Sequence, residues 1–349
     1  MERTTIKNIA EQAGVSITTV SCVLNGREMR ISNATKKKVI KIANELDYHP
    51  NQLAVGLITK KTNTIGLIIP DISNTFFGEL AKGAENRAAE LGYNVFLCNT
   101  NDSTEKDLDY LRALLDRGVD GVILVPSGRG KDEKSPECFK LLDSCQKSFV
   151  ILDRTKTGDK YLGISLDHKG GGFIATDYLI KNGHMKIGCI TGPLGMLNSY
   201  RRYQGYVEAL SKAGIKYDDC LVKEGNYHIS DGVELAESLF RKKVTAIFAC
   251  NDLMAFGVYQ AARKRGLRIP EDLSIVGFDD ITYSEFMEVP LTTIRQPALE
   301  MGKCAVEKVV EMINNPDCKR DKIIFEPKLI ERNSVKNIGG DTDGSKERA

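Results

Sequence analysis

Gly14-Val15-Ser16-Ile17-Thr18-Thr19-Val20-Ser21 decides how the start of the chain folds. Just upstream, Thr5 is placed to cap a helix whose Ile6, Ile9, Ala10 and Ala13 recur at helical spacing. Gly14 supplies the turn, because it takes a positive φ that other residues resist. Ser16 then caps a second helix. Its Val20, Val23 and Leu24 face back toward the first, leaving Ile17, Thr18, Ser21 and Cys22 outward. Two short helices, a tight turn and an outward row of small polar groups spell a helix-turn-helix sized for the DNA major groove. Small helical domains of other kinds carry such turns too, so the surroundings matter. Asn25-Gly26 ends the second helix, and Ser32 caps a third through Lys36-Lys37-Lys38, Val39, Ile42, Ala43 and Leu46.

Charge supports the nucleic-acid reading. The 349 residues carry a net charge of only +2. Residues 1–62, however, hold ten Lys or Arg against five Asp or Glu, a net of +5, which leaves −3 for the remainder. Positive charge therefore gathers where phosphate contact requires it. The chain is too long for one ordinary core, and 42% apolar residues suffice for two or three. Nine cysteines lie scattered, without the paired Cys/His spacing of a zinc site, and reduced thiols suit a cytoplasmic protein. Met1-Glu2-Arg3-Thr4-Thr5 has no apolar signal core. No apolar run approaches the ~20 residues that span a bilayer, so a soluble chain without a membrane partner is expected.

Residues 48–63 read as a connection, in which Gln52–Leu57 could form a turn and a half of helix or remain a plain linker. A helix so short is unstable alone in water, and Gly56 lowers its propensity by ~1 kcal/mol. From Thr64 the pattern becomes apolar strands alternating with helices. One series runs from Thr64–Ile69 to Phe149–Leu152, and a second opens with Tyr161–Leu166 and ends at Ser274–Phe278. Continuous apolar runs suit sheets covered on both faces. Two such series imply two parallel-sheet lobes, with ligand bound in a cleft beyond the C-terminal strand ends.

The chain is similar to the LacI/GalR family of bacterial transcription regulators. The residues that carry the resemblance are Thr5-Ile6-Lys7-Asn8-Ile9-Ala10, Ala13-Gly14-Val15-Ser16, Thr19-Val20-Ser21, Val23-Leu24-Asn25-Gly26, Leu46-Asp47-Tyr48-His49-Pro50-Asn51 and Leu57. The resemblance implies an all-α helix-turn-helix head joined to an α/β core of two parallel-sheet lobes like a periplasmic binding protein. The expected boundaries are a DNA-binding domain at 1–47, a hinge helix and linker at 48–63, a ligand-binding and dimerisation core at 64–338 and a polar tail at 339–349. Within the core, the first lobe takes 64–160 and 295–322, and the second takes 161–292 and 323–338. By the same resemblance Ile17, Thr18, Ser21 and Cys22 face bases, while Thr19 and Asn25 lie nearer phosphate. Thr5, Ser16 and Asn51 complete the head's set, and Leu57 wedges into the minor groove. Cys22 stands where the family usually has a larger donor, and Val55 where it often has a polar or basic residue. The partners implied are a near-palindromic operator, a second copy of the chain and a small effector, with repression the commoner outcome.

Polar and aromatic residues cluster at the strand ends: Asn74-Thr75-Phe76-Phe77, Asp153-Arg154, Asn198 to Arg202, Tyr227, Asn251-Asp252, Asp279-Asp280 and Gln296. Carboxylates, amides and guanidinium groups converging on rings suit a polyhydroxylated ligand. The set resembles that of periplasmic ribose-type binding proteins and their repressor relatives. The resemblance gives stacking to Phe76, Phe77 and Tyr227, and hydroxyl contacts to Asp153, Arg154, Arg202, Asn251, Asp279 and Gln296, with Asn198 alongside. Such residues after strands also serve as caps and turns, and Asp252 is assigned to capping. Met196 and Leu197 occupy a stretch where purine-binding relatives place polar side chains, which disfavours a purine, and the resemblance of the set implies a pentose-type sugar. Enzyme motifs are absent. Gly170-Gly171-Gly172 lacks the dinucleotide fingerprint and reads as a turn opening a helix, and His49, His168, His184 and His228 look isolated. No catalytic residue, cofactor or metal is expected. The alternatives are a sugar-binding module without a DNA role and a regulator answering to a non-sugar metabolite.

Overall fold

The computed structural model describes residues 4–24, 30–48, 61–127, 135–145, 147–154 and 161–339. The chain forms two compact units, Met1–Thr62 and Asn63–Ala349. Asn25-Gly26, the hinge segment Gln52–Leu57 and the tail from Gly340 lie outside the described residues.

The first unit contains α1 (Ile6–Ala13), α2 (Ile17–Leu24) and α3 (Asn33–Glu45). At its start, the Asn8 carboxamide oxygen accepts from the Thr5 N–H at 2.8 Å and from the Thr5 hydroxyl at 2.5 Å. Thr5 thus occupies the cap position, but Asn8 supplies the capping acceptor. Gly14 sits at φ 67°, left-handed as the turn demands. Ser16 Oγ accepts from Thr19 N–H at 3.1 Å, and Ser32 Oγ from Thr35 N–H at 3.2 Å. Ile9, Ala13, Val20, Val39 and Ile42 bury together as the core.

The second unit alternates strand and helix through β1 (Thr64–Ile69), α4 (Thr75–Glu90), β2 (Asn94–Asn99), α5 (Thr104–Asp116), β3 (Gly121–Leu124), α6 (Ser135–Ser144) and β4 (Ser148–Leu152). It continues with β5 (Gly163–Leu166), α7 (His168–Lys181), β6 (Ile187–Thr191), α8 (Leu197–Lys212), β7 (Val222–Glu224), α9 (Ile229–Arg241), β8 (Ala246–Ala249), α10 (Asp252–Lys264) and β9 (Ser274–Asp279). Last come β10 (Thr292–Arg295), α11 (Ala298–Asn314), β11 (Ile323–Phe325) and β12 (Lys328–Ile330). These strands build two six-stranded sheets, ordered β11-β5-β4-β3-β1-β2 and β12-β10-β9-β8-β6-β7. Pairing is parallel except for β12, which runs antiparallel to β10. In the first lobe Leu80, Ala84, Met301 and Val306 cover one face of the sheet. Leu111, Leu114 and Leu142 cover the other. Burial on both faces is why the strands read as unbroken apolar runs.

The lobe boundaries differ from those expected. β5 pairs with β4 and β11 and so closes the first sheet rather than opening the second. β11 likewise belongs to the first lobe, and Thr292–Arg295 forms a full strand of the second. The chain therefore crosses between lobes at 166–168, 295–298 and 325–328. A four-residue strand such as Gly163–Leu166 fits either sheet, and only long-range hydrogen bonds decide.

Gly170-Gly171-Gly172 opens a helix as expected, lying within the first turns of α7, with Gly170 N–H donating to Asp167 Oδ1 at 2.9 Å. Gly172 serves close packing. A Cβ there would meet the Arg202 carbonyl oxygen of α8 at 2.1 Å, and one at Gly205 would meet the Lys169 carbonyl oxygen at 2.2 Å. The two glycines let α7 and α8 approach backbone to backbone.

Candidate functional site

A cavity of about 520 Å³ opens between the lobes at the C-terminal ends of the strands. All ten residues expected to meet ligand line it: Phe76, Phe77, Asp153, Arg154, Asn198, Arg202, Tyr227, Asn251, Asp279 and Gln296. Asn74, which caps α4 by accepting from Phe76 N–H at 3.1 Å, and Asp102 line it as well. Met196 and Leu197 do not, so they carry no argument against a purine.

The first lobe brings Phe76 and Phe77 edge to face, with ring centroids 5.1 Å apart. Arg154 lies 5.7 Å from the Phe77 centroid and donates to Asp102 Oδ1 at 2.8 Å and to the Pro126 carbonyl at 3.1 Å. From the second lobe, Arg202 is 3% exposed. Its Nη1 donates to the Cys250 carbonyl and, at 3.4 Å, to Asp279 Oδ1, while its guanidinium lies 3.8 Å over the Phe278 ring. Gln296 Nε2 donates to the same Asp279 oxygen at 2.6 Å. Asn198 Nδ2 donates to Asp153 Oδ2 at 3.4 Å, across the lobes.

Asn251 lines the cavity as expected but also takes the capping role expected of Asp252. Asn251 Oδ1 caps α10, accepting from Met254 N–H at 2.9 Å, and its Nδ2 donates to the Tyr227 carbonyl at 3.0 Å. Asp252 is fully buried and accepts from Ile281 N–H at 3.0 Å, Ser284 Oγ at 2.7 Å and Thr293 Oγ1 at 2.6 Å. It knots the β9 end to β10.

Backbone geometry also marks the cavity. Asp102, Asp153, Tyr227 and Asp279 all take positive φ, at 55°, 63°, 70° and 116°. Such conformations cost ~1–3 kcal/mol each in non-glycine residues and gather at functional sites. They aim side chains that an extended backbone would turn away. Arg154 Nε, Tyr227 Oη and Gln296 Oε1 are buried there without a hydrogen-bond partner among the described residues. Burial pushes Asp279 up to about 8, against the opposing pull of Arg202. Burial also pushes Tyr227 up to about 12. Burial works to raise Asp153 too, but His168, Arg202 and Arg154 together hold it below the usual carboxylate range. A donor-and-acceptor wall with rings on two sides suits a ligand rich in hydroxyl groups.

In the first unit, Thr18 is exposed and Ile17 is 44% exposed at the start of α2, with Ser21 partly covered. Thr19 Oγ1 lies 2.9 Å from Ser16 Oγ, beside the helix start. Cys22 does not stand outward: it is 7% exposed, on a buried side of α2 with Val20. Asn25, Asn51 and Leu57 lie outside the described residues.

His168 was not expected at the site. It is buried at the first position of α7, within reach of Asp153 and Arg202. Among the described residues no helix is long and apolar enough to cross a membrane.

The family model for bacterial regulatory proteins of the lacI family matches residues 5–51, and that for the periplasmic binding protein-like domain matches 176–335. The chain is 36% identical over 340 residues to the HTH-type transcriptional repressor PurR of Vibrio atlanticus, covering 96% of this chain and 99% of that one. It is 38% identical over 334 residues to the HTH-type transcriptional regulator DegA of Bacillus subtilis, covering 95% and 98%. Among solved structures it is similar to the lac repressor dimer bound to operator and an anti-inducer, with TM-score 0.85, 25% identity and coverage of 96% and 100%. It is also similar to a LacI-family regulator of Enterococcus faecium with bound ribose, with TM-score 0.72, 29% identity and coverage of 79% and 99%.

Proposed function

Since this chain belongs to the LacI family of bacterial regulatory proteins, DNA-binding transcription regulators with a ligand-binding core, we propose that it is a repressor whose operator affinity is set by a pentose-type sugar. The observation that carries this reading is the convergence of Asp153, Arg154, Arg202, Asp279 and Gln296 with the rings of Phe76, Phe77 and Tyr227 in one interlobe cavity. Carboxylates accept from vicinal hydroxyls, guanidinium and amide groups donate, and the rings cover the apolar face of the sugar. Ribose bound by the Enterococcus faecium relative supports the same ligand class.

The chain acts as a homodimer on a near-palindromic operator, in line with the lac repressor neighbour. Ile17, Thr18 and Ser21 meet base edges. Thr5, Ser16, Thr19, Asn25 and Asn51 position the head, and Leu57 wedges the minor groove. Sugar in the cavity alters the lobe arrangement and thereby the spacing of the heads. It shifts operator affinity only by its differential affinity for the two arrangements.

The test is a selected operator, with duplex affinity measured with and without D-ribose, beside calorimetry of D-ribose on the full chain. A saturable heat and a change in operator affinity of fivefold or more are expected. No heat and no change with any pentose would remove the sugar. Equal affinity for scrambled duplex at physiological salt would remove the sequence-specific head.

A further inference from the structure

His168 does not line the ligand cavity. It sits behind it, at the crossing from β5 into α7, and faces a second hollow that shares Asp153 and Asn198. Its ring lies between two ligand-site residues from different lobes. Arg202 Nε donates to His168 Nδ1 at 3.3 Å, and His168 Nε2 stands 3.2 Å from Asp153 Oδ1. The close approach of α7 and α8 at Gly172 and Gly205 fixes the ring beside Arg202.

Chemistry then assigns the proton. An arginine Nε carries one hydrogen and no acceptor lone pair, so Nδ1 must be the acceptor. The neutral ring therefore holds its proton on Nε2, toward the Asp153 carboxylate. That pair sits off hydrogen-bond alignment here, and neither atom has another bond among the described residues. A small ring tilt completes it.

We propose that His168 is a positioning residue of the effector site, an Arg202–His168–Asp153 relay that ties the ligand-binding groups of one lobe to those of the other. The proposal rests on reading the cavity as the effector site. His168 touches no ligand. It holds Asp153 and Arg202 in register, so that ligand closing on one finds the other already placed. Asp153 faces the ring from the β4 end with Arg154 acting on that carboxylate, Arg202 faces it from α8 and Asp167 from the start of its own helix. Lys169, Arg201, Lys322 and Glu326 rim the hollow behind it. Burial and Arg202 resist a second proton on the ring, while Asp153 and Asp167 favour it, and the balance falls below the ordinary histidine range. When that proton does arrive, an Nδ1–H meets the Arg202 donor and the relay breaks.

The test uses the full chain labelled with ¹⁵N and two-bond proton–nitrogen correlation of the imidazoles. With four histidines in the chain, His168 is assigned by its absence in His168→Gln. An Nε2–H tautomer whose second proton arrives below the ordinary histidine range is expected. An Nδ1–H tautomer, or titration at about 6.5, overturns the relay. D-ribose calorimetry from pH 7.5 to 5.5 supplies the second readout. Wild-type affinity should hold near neutrality and then fall by up to about tenfold per pH unit. His168→Leu should bind at least tenfold more weakly. His168→Gln, with one donor and one acceptor that do not titrate, should recover most of the affinity and lose the acid slope. Equal affinity in the Leu variant and wild type overturns the positioning role. Should wild type ignore D-ribose, the sugar reading fails, while the tautomer and its titration still decide the relay.

Discussion

On α2, Ile17 and Thr18 stand in solvent on an eight-residue helix anchored by its Ser16 cap and by Val20 beneath. In the cavity, Asp153, Arg202, Asp279 and Gln296 are nearly sealed from water, with Arg202 and Gln296 already bonded to Asp279 and Asn198 to Asp153. The two surfaces meet different partners. Duplex DNA is stiff and brings a long charged surface, so its reader needs only to be presented in the right orientation. A small ligand has few atoms and no surface to spare, so its wall must be placed before it arrives. Substitutions on the α2 face should therefore change affinity while leaving stability alone. Substitutions in the cavity should change both.

The largest effect tests whether the cavity is set by packing beneath it. In Gly205→Ala the new Cβ runs into the Lys169 carbonyl, a backbone atom that cannot rotate away. Forcing α7 from α8 should lower stability by about 3 kcal/mol and weaken D-ribose binding, as read by thermal unfolding and calorimetry. Unchanged stability would mean that the helices are not packed backbone to backbone. The next effect tests coupling at a single carboxylate. Asp279→Asn keeps the shape but replaces a carboxyl oxygen with an amide nitrogen that only donates, and D-ribose affinity should fall about 100-fold, or ~2.7 kcal/mol. The same variant has a pH signature. Burial raises Asp279 to about 8 in the folded chain, whereas an unfolded aspartate titrates near 3.8. Its protonated form is the one folding favours, and that contribution fades as pH rises from 3.8 toward 8. The stability difference should thus shift toward the Asn variant with rising pH, by up to about 1.4 kcal/mol per unit. A shift in the opposite direction would mean that Arg202 dominates the site.

What the sequence made legible follows the same division. The head was readable because its cues are local: Gly14, the Ser16 and Ser32 caps and the apolar stripe lie within a turn or two of what they control. The cavity residues were readable because a parallel sheet delivers every strand end to one edge, so Asp153, Tyr227, Asp279 and Gln296 could be named without distances. His168 was not, because its partners are fixed by the packing of α7 on α8, and Arg202 is 34 residues away. The only signal was a histidine opening a helix straight after an apolar strand. The lobe crossings at β5, β10 and β11 were misplaced because strands of three or four residues carry no mark of which sheet will pair them. The cap of α10 was placed one residue late, on Asp252 instead of Asn251, because adjacent capping residues differ only in where the helix begins, which sequence fixes poorly.

The smallest effect bears on the other side of the comparison. If the α2 face reads bases only through side chains that stand clear of it, Thr18 and Cys22 should differ sharply although they are one turn apart. Thr18 is exposed at the helix start, and Thr18→Ala should cost about 1 kcal/mol of operator binding, roughly fivefold. Cys22 is nearly covered, and a thiol offers at most a weak hydrogen bond in place of a bidentate contact. Cys22→Ala should therefore leave operator affinity within about twofold at fixed salt. Neither change touches phosphate, so the salt dependence of binding should be the same for both variants and wild type. A loss for Cys22→Ala equal to that for Thr18→Ala would show that the thiol turns outward on the duplex. The reading face would then be shaped by its partner, and the contrast with the pre-placed cavity would widen.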